Sequence, residues 1–266
     1  MTHREVVKSR ANPLVKRLRA LRERRGSLML LEGVKLVEEA LAAGIAVREV
    51  AASPRAERHQ RGRTLLRGLE ARSVPVRWLD EPILASLSEV EASQGIVALA
   101  ERPRFDEASV FRNPALVVVA IGVQNPGNLG ALLRTAEAAG ASGALLTTGC
   151  ADACSWKALR GSMGSAFRLP HSAMLEPHAA LAVLRREAIA TVAASPHGNR
   201  AYVEWDWRRP SAVLLGAEGA GLPSDVEAAA DVRVSIPLAA PVESLNVTAA
   251  AAVVLFEAAR QRRKAR

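Results

Sequence analysis

Apolar residues recur at helical spacing near the start of the chain, and Leu14, Leu18 and Leu21 share one face. Asn12 is placed to cap that helix, Pro13 occupies its first position and Gly26 follows its end. The pattern then predicts a short strand "LMLL", a helix "VKLVEEALAAG" ending at Gly44, and a strand "IAVREVAA". A helix through 55–71 follows, and after it strands "VPVRWL" and "GIVALA" surround a short helix opened by Asp80 and Pro82. Mixed elements of this kind describe a compact α/β domain of about 100 residues.

From Ala115 the pattern changes to continuous apolar runs, beginning with "ALVVVAIGV" and continuing with "GALLTTG", "AIATVAAS", "SAVLLGA" and "VRVSIPL". Runs without alternation suit strands buried on both faces of a parallel sheet, and the helix-like segments between them would cover those faces. The chain closes on an Ala-rich helix, "SLNVTAAAAVVLFEAARQRR". Between the two halves, "ERPRFDEASVFRNP" has charges, two prolines and no clean period. The expected division is therefore a first domain over 1–104, a linker over 105–114 and a second α/β domain over 115–266.

Composition narrows the class of partner. The 266 residues are 49% hydrophobic and carry a formal charge of +9. That charge is clustered: residues 1–25 hold nine Lys or Arg against two Glu, and the C-terminus reads "RQRRKAR". Lys16, Arg17, Arg19 and Arg22 make the polar face of the first helix either a phosphate-contacting surface or a solvated one, and favour a nucleic-acid partner. No apolar run approaches a membrane span and the N-terminus lacks a secretory core, so a cytoplasmic protein without membrane contact is expected. Cys150 and Cys154, with three residues between them and no histidines at ligand spacing, argue for buried thiols and for no metal.

In open α/β sheets ligands bind beyond the carboxyl ends of strands, so the segments that follow the apolar runs are the informative ones. Three stand out: "QNPGNLG", "AEGAGLP" and "AAPVESLN". Dinucleotide and phosphate-loop fingerprints are absent, as is a G-x-S-x-G nucleophile elbow. By spacing alone Arg134, within "GALLRTAEAAG", is an exposed i,i+3 partner of Glu137. Asn128, Ser244 and Asn246 could serve merely as helix caps, and Glu218 could merely close a turn.

Together, "NPGNLGALLRTAEAAG", "LLGAEGAGLP" and "IPLAAPVESLNVTAAAAVVLFEA" resemble the three ordered motifs of the SpoU (TrmH) family of RNA ribose 2′-O-methyltransferases, within the SPOUT superfamily. The stretch "SWKALRGSMGSAFRLP" resembles the family's segment between the first two motifs. "SRANPLVKRL" and "LLEGVKLVEEAL" resemble the RNA substrate-binding domain that many members carry. The resemblance implies a small ribosomal-protein-type α/β domain followed by an α/β domain with a deep trefoil knot. It also implies S-adenosylmethionine as cofactor and a homodimer formed through the knot domain.

Carried over position by position, the resemblance makes Arg134, Asn128, Glu218, Ser244 and Asn246 the catalytic candidates. Gly216, Ile236, Leu238 and Leu245 would receive the cofactor. The expected substrate is large-subunit ribosomal RNA, with transfer RNA, or an inactive RNA-binding assembly factor, as the alternatives. Aromatics are only 3% of the chain, too few for a stacking platform, so recognition should run through phosphates and shape. Two positions depart from the family pattern: Ala240 precedes Pro241 where Gly is usual, and Trp156 stands where Pro is common.

Overall fold

A computed structural model describes residues 5–23, 26–88 and 94–263. The chain forms two compact units. One comprises the segment up to Pro103 together with Cys154–Phe167, and the other Arg104–Ala153 together with Arg168 onward.

Among the described residues the first unit holds a five-stranded sheet in the order β1-β4-β3-β5-β2. These are β1 (Val6–Val7), β2 (Leu28–Glu32), β3 (Val47–Ala52), β4 (Val76–Leu79) and β5 (Ile96–Glu101). Strand β4 lies parallel to β1 and β3, while β5 runs antiparallel to β2 and β3. Helix α1 (Pro13–Glu23) is capped as expected, the Asn12 side chain accepting from Leu14 N–H at 2.9 Å. It buries Val15 and Leu18 in a core with Leu30, Leu79, Val97 and Leu99. The remaining helices are α2 (Val34–Ala42), α3 (Gln60–Ala71) and α4 (Glu81–Ala85), the last opened by Asp80 accepting from Glu81 N–H.

The helix expected through 55–71 is in fact two pieces. A 3-10 turn over Pro54–Arg58 is separated from α3 by His59, whose backbone is extended. The break lets α3 fold back against that turn, and Gly62 permits the approach: a Cβ there would lie 1.9 Å from the Ala56 carbonyl oxygen.

The second unit holds a seven-stranded, wholly parallel sheet in the order β10-β12-β9-β11-β6-β7-β8. Its strands are β6 (Leu116–Ala120), β7 (Gly143–Thr147), β8 (His171–Leu175), β9 (Ala190–Ala194), β10 (Arg200–Ala201), β11 (Ser211–Leu215) and β12 (Val232–Ser235). The five apolar runs are all strands; β8 and β10 are additional. Both are edge strands with one neighbour each, so neither needs the continuous apolar sequence of a central strand.

Helices α5 (Pro126–Ala139) and α10 (Val247–Arg263) pack against one another, and α8 (Pro177–Arg186) and α9 (Ser224–Ala229) complete this unit's longer helices. Two short helices, α6 (Trp156–Ser162) and α7 (Ser165–Arg168), lie between β7 and β8, and Trp156 joins the core of the first unit. Cys150 and Cys154 are buried thiols, and among the described residues no acidic, His and Cys cluster is arranged to hold a metal. No helix among the described residues is long and apolar enough to cross a membrane.

The C-terminal end of α10 is fixed by hydrogen bonds to backbone. Arg262 donates through Nε to the Trp207 carbonyl (2.7 Å), through Nη1 to Pro114 (2.7 Å), and through Nη2 to Ala115 (2.8 Å) and Arg209 (3.0 Å). Gln261 accepts from Trp207 N–H at 2.9 Å and donates to Trp205 at 3.1 Å. Burial pushes the Arg262 guanidinium below its ordinary value, yet four carbonyl partners hold its protons. Arg262→Ala should cost about 2 to 3 kcal/mol in urea unfolding, because it strips charged hydrogen bonds from partly buried carbonyls. Arg186→Ala, which removes only an exposed pair with Glu187, should leave stability close to wild type.

Candidate functional site

The three unusual loops all leave carboxyl ends of strands in the parallel sheet. The first joins β6 to α5, the second joins β11 to α9, and the third runs from β12 to α10. Strands β6 and β11 are neighbours, and Ile121 N–H donates to the Leu215 carbonyl at 2.8 Å, so the first two loops begin side by side.

The first loop turns into α5 under the control of Asn125, whose side chain accepts from Gly127 N–H (2.8 Å) and Asn128 N–H (3.2 Å). Asn125, not Asn128, is therefore the cap, with Pro126 at the first helical position. That leaves the Asn128 amide available for contacts beyond its own helix.

The second loop doubles back tightly. Ala217 and Gly221 exchange two backbone hydrogen bonds, at 3.1 and 2.9 Å. A Cβ on Gly216 would lie 2.1 Å from the Gly221 carbonyl carbon, so only glycine fits there. This tight loop presents Glu218 outward, toward Asn128.

At the centre of the site, Asn128 Nδ2 donates to Glu218 Oε1 at 2.8 Å, and Asn246 Nδ2 donates to Asn128 Oδ1 at 3.3 Å. Asn246 Oδ1 in turn accepts from Thr248 N–H at 2.9 Å, so Asn246 caps α10, while Asn128, bonded to both Glu218 and Asn246, links the three loops. Thr248 Oγ1 adds a bond to the Asn128 carbonyl at 3.3 Å. Burial raises the Glu218 carboxyl, but the Asn128 amide and the N–H groups of Glu218, Gln124 and Asn125 outweigh it and hold the group below its usual value. Glu218 is thus an anion held by donors on two loops.

Arg134 and Ser244 do not join this chain of bonds. Arg134 lies six residues after Asn128 on α5, which places it about 9 Å further along the axis and about 120° around it. Its side chain is exposed and makes no hydrogen bond or ion pair among the described residues. The expected i,i+3 pair with Glu137 is not formed: Glu137 is held instead by Arg168, whose Nε and Nη2 donate to its two oxygens at 2.7 and 2.9 Å. Ser244 is exposed on the third loop.

Of the cofactor candidates, Gly216, Ile236 and Leu238 are half-buried and Leu245 is 38% exposed, leaving apolar surface open along the third loop. The Ala240–Pro241 peptide is cis, and the loop turns there with Val242 N–H donating to the Ala239 carbonyl at 3.1 Å. On the first unit, Lys16, Arg17 and Arg19 are exposed, although Arg17 is ion-paired with Glu49. The Arg22 side chain and residues 24–25 and 264–266 lie outside the described residues. The residue that sequence reading passed over is Asn125, although an Asn directly before Pro at a helix start is a cap signature.

The class defined by a parallel sheet with three convergent loops at its carboxyl edge is a ligand-binding α/β protein. More specifically, the chain belongs to the SpoU rRNA methylase family, whose model matches residues 115–256. An MRM3-like substrate binding domain matches residues 12–98. Among relatives, it is 32% identical to the 23S rRNA (uridine(2479)-2′-O)-methyltransferase of Streptomyces viridochromogenes, covering 91% of this chain and 85% of that one. It is 31% identical to the 23S rRNA (guanosine(2553)-2′-O)-methyltransferase of Bacillus subtilis, with 91% and 92% covered. The crystal structure of the SpoU methyltransferase AviRb from Streptomyces viridochromogenes in complex with AdoMet superposes with a TM-score of 0.84 at 30% identity, covering 95% of this chain and 100% of that one.

The low-lying Glu218 makes the site sensitive to acid. A carboxylate depressed in the folded state stabilises it above its unfolded value and loses that contribution as pH falls through the folded one. The stability difference between wild type and Glu218→Gln should therefore be largest near neutrality and close as pH drops below the ordinary 4.5. Urea unfolding across that range measures it, and a difference that stays constant with pH would show that ionised Glu218 does not contribute to stability.

Proposed function

We propose that this protein transfers the methyl group of S-adenosylmethionine to a ribose 2′-hydroxyl of RNA, with large-subunit ribosomal RNA as the substrate. The observation that carries this reading is the Glu218–Asn128–Asn246 chain of hydrogen bonds, because it draws all three loops to one point at the carboxyl edge of the sheet. Relatives named for 23S rRNA ribose methylation support the substrate class, and a neighbour bound to AdoMet supports the cofactor. Those two relatives are named for a uridine and a guanosine, so the base identity is not carried over.

The residues present fit the cofactor. Ile236, Leu238 and Leu245 offer an apolar wall for an adenine, and the tight loop at Gly216 leaves backbone accessible beside it. Glu218, held as an anion, supplies negative charge that complements a sulfonium cation. Bound S-adenosylmethionine supplies an electrophilic methyl group.

The protein's remaining task is to place a weak nucleophile in line and offset the charge that develops on it. Arg134 is suited to that task as a guanidinium unpaired among the described residues, whose donors can grip a phosphate and the developing alkoxide. It acts by orientation and charge, since a guanidinium keeps its protons under ordinary conditions. Ser244 and Asn246 complete the polar rim on the third loop.

Arg134 points away from Asn128 around α5, so one chain does not gather all five residues at a point. A homodimer with sites at the subunit boundary resolves this. Exposed apolar side chains support such pairing: Phe256 on α10 is 46% exposed and Val242 on the third loop 53%. The third loop, returning from β12 to bond Asn128 at the start of α5, is the segment that would form the knot. The first unit, with Lys16 and Arg19 exposed on α1, provides an RNA-binding surface.

Incubation with labelled S-adenosylmethionine and ribosomal RNA from cells lacking this gene should yield one ribose-methylated nucleotide, mapped by mass spectrometry. No incorporation into any RNA would overturn the proposal. Arg134→Ala should lower kcat by at least about 100-fold while leaving cofactor affinity within about threefold. Gly216→Ala should do the reverse, abolishing cofactor binding in calorimetry because its Cβ collides with the Gly221 backbone.

A further inference from the structure

We infer that Arg168 is a positioning residue that keeps Arg134 available by occupying Glu137; this rests on the reading of Arg134 as the residue that grips the RNA. The starting point is a conflict built into α5. Arg134 and Glu137 stand three residues apart, where opposite charges on a helix reach one another, and a carboxylate in that position would draw the guanidinium onto the helix surface. It would also repel the phosphates that Arg134 is meant to meet.

The structure removes the conflict from outside the helix. Arg168, at the end of α7, sets the two arms of its guanidinium on both oxygens of Glu137, at 2.7 and 2.9 Å. This is the fork geometry in which arginine binds a carboxylate best. The Glu137 and Arg168 side chains are 30% and 39% exposed, so the pair is partly shielded from solvent. Arg134, one turn away, is left exposed with no partner among the described residues.

The pair borders an open cavity of about 540 Å³ at the amino ends of β7 and β8, opposite the three loops. Arg168 therefore lies at the far edge of the sheet from the Asn128 centre, and its influence on the reaction passes through Glu137 and Arg134.

The test is a two-residue cycle assayed for RNA methylation, with cofactor affinity by calorimetry and melting temperature recorded for each variant. Arg168→Gln should lower kcat/KM for RNA by about three- to tenfold with cofactor affinity unchanged. Glu137→Gln should have little effect alone, and the double variant should regain the activity that Arg168→Gln lost. Arg168→Lys, which keeps the charge but not the fork, should fall between. A double variant as poor as Arg168→Gln, or a loss of activity on adding Arg168→Gln to the Glu137→Gln background, would overturn the inference and show that Arg168 acts on its own. The second comparison decides the matter even if Arg168→Gln alone does not fold. Arg134→Ala in the same assay separates the two layers: full activity there defeats the reading of Arg134 and the inference with it, whereas inactivity without rescue defeats only the role of Arg168.

Discussion

The Asn128 amide is the contact on which the site depends, and its polarity admits only one arrangement. An ionised carboxylate has acceptors and no donor, so Glu218 obliges Asn128 to turn its NH2 toward it. The Asn128 oxygen then faces Asn246, which must answer with its own NH2, and the Asn246 oxygen is left to receive the Thr248 amide in the first turn of α10. Three side chains from three loops are thereby oriented by the charge on one. An aspartate at 128 would set two anions together, and an aliphatic residue would separate the loops.

This polarity also fixes the two helices that rise from the loops. Helix α5 begins where Asn125 caps it and carries Asn128 on its first turn; helix α10 begins where Asn246 caps it and packs along α5. At its other end α10 is held by Gln261 and Arg262 on backbone groups of residues 114–115 and 205–209. A helix secured at both ends has little freedom to slide, and the third loop inherits that rigidity at the point where Asn246 meets Asn128.

Much of this was legible in the sequence because burial writes itself into composition. The five apolar runs of the second unit are strands β6, β7, β9, β11 and β12, and the segments following three of them form the site. The strands that escaped notice, β1, β8 and β10, are all at sheet edges, where one open side relaxes the demand for apolar residues. The break at His59 was hidden because Gly62 looks like any weak helix former until a backbone carbonyl is seen against it. Nearest-neighbour spacing misassigned Glu137, since its partner Arg168 is 31 residues away and only the fold brings it near. Family resemblance reached Asn128, Glu218 and Asn246 as separate candidates; that they are bonded to each other is a fact of three dimensions.

The placement of residues 154–167 has a consequence for how such a protein can change over generations. The chain passes from one unit to the other after Pro103, after Ala153 and after Phe167, and Trp156 sits among the first unit's core residues Val15, Leu18, Leu79 and Leu99. The first unit is therefore encoded in two separated stretches of the gene. Recombination that exchanged only the front stretch would install a new core around an old tryptophan, and the substrate-binding half can be traded between lineages only if fourteen residues from the middle of the other half travel with it.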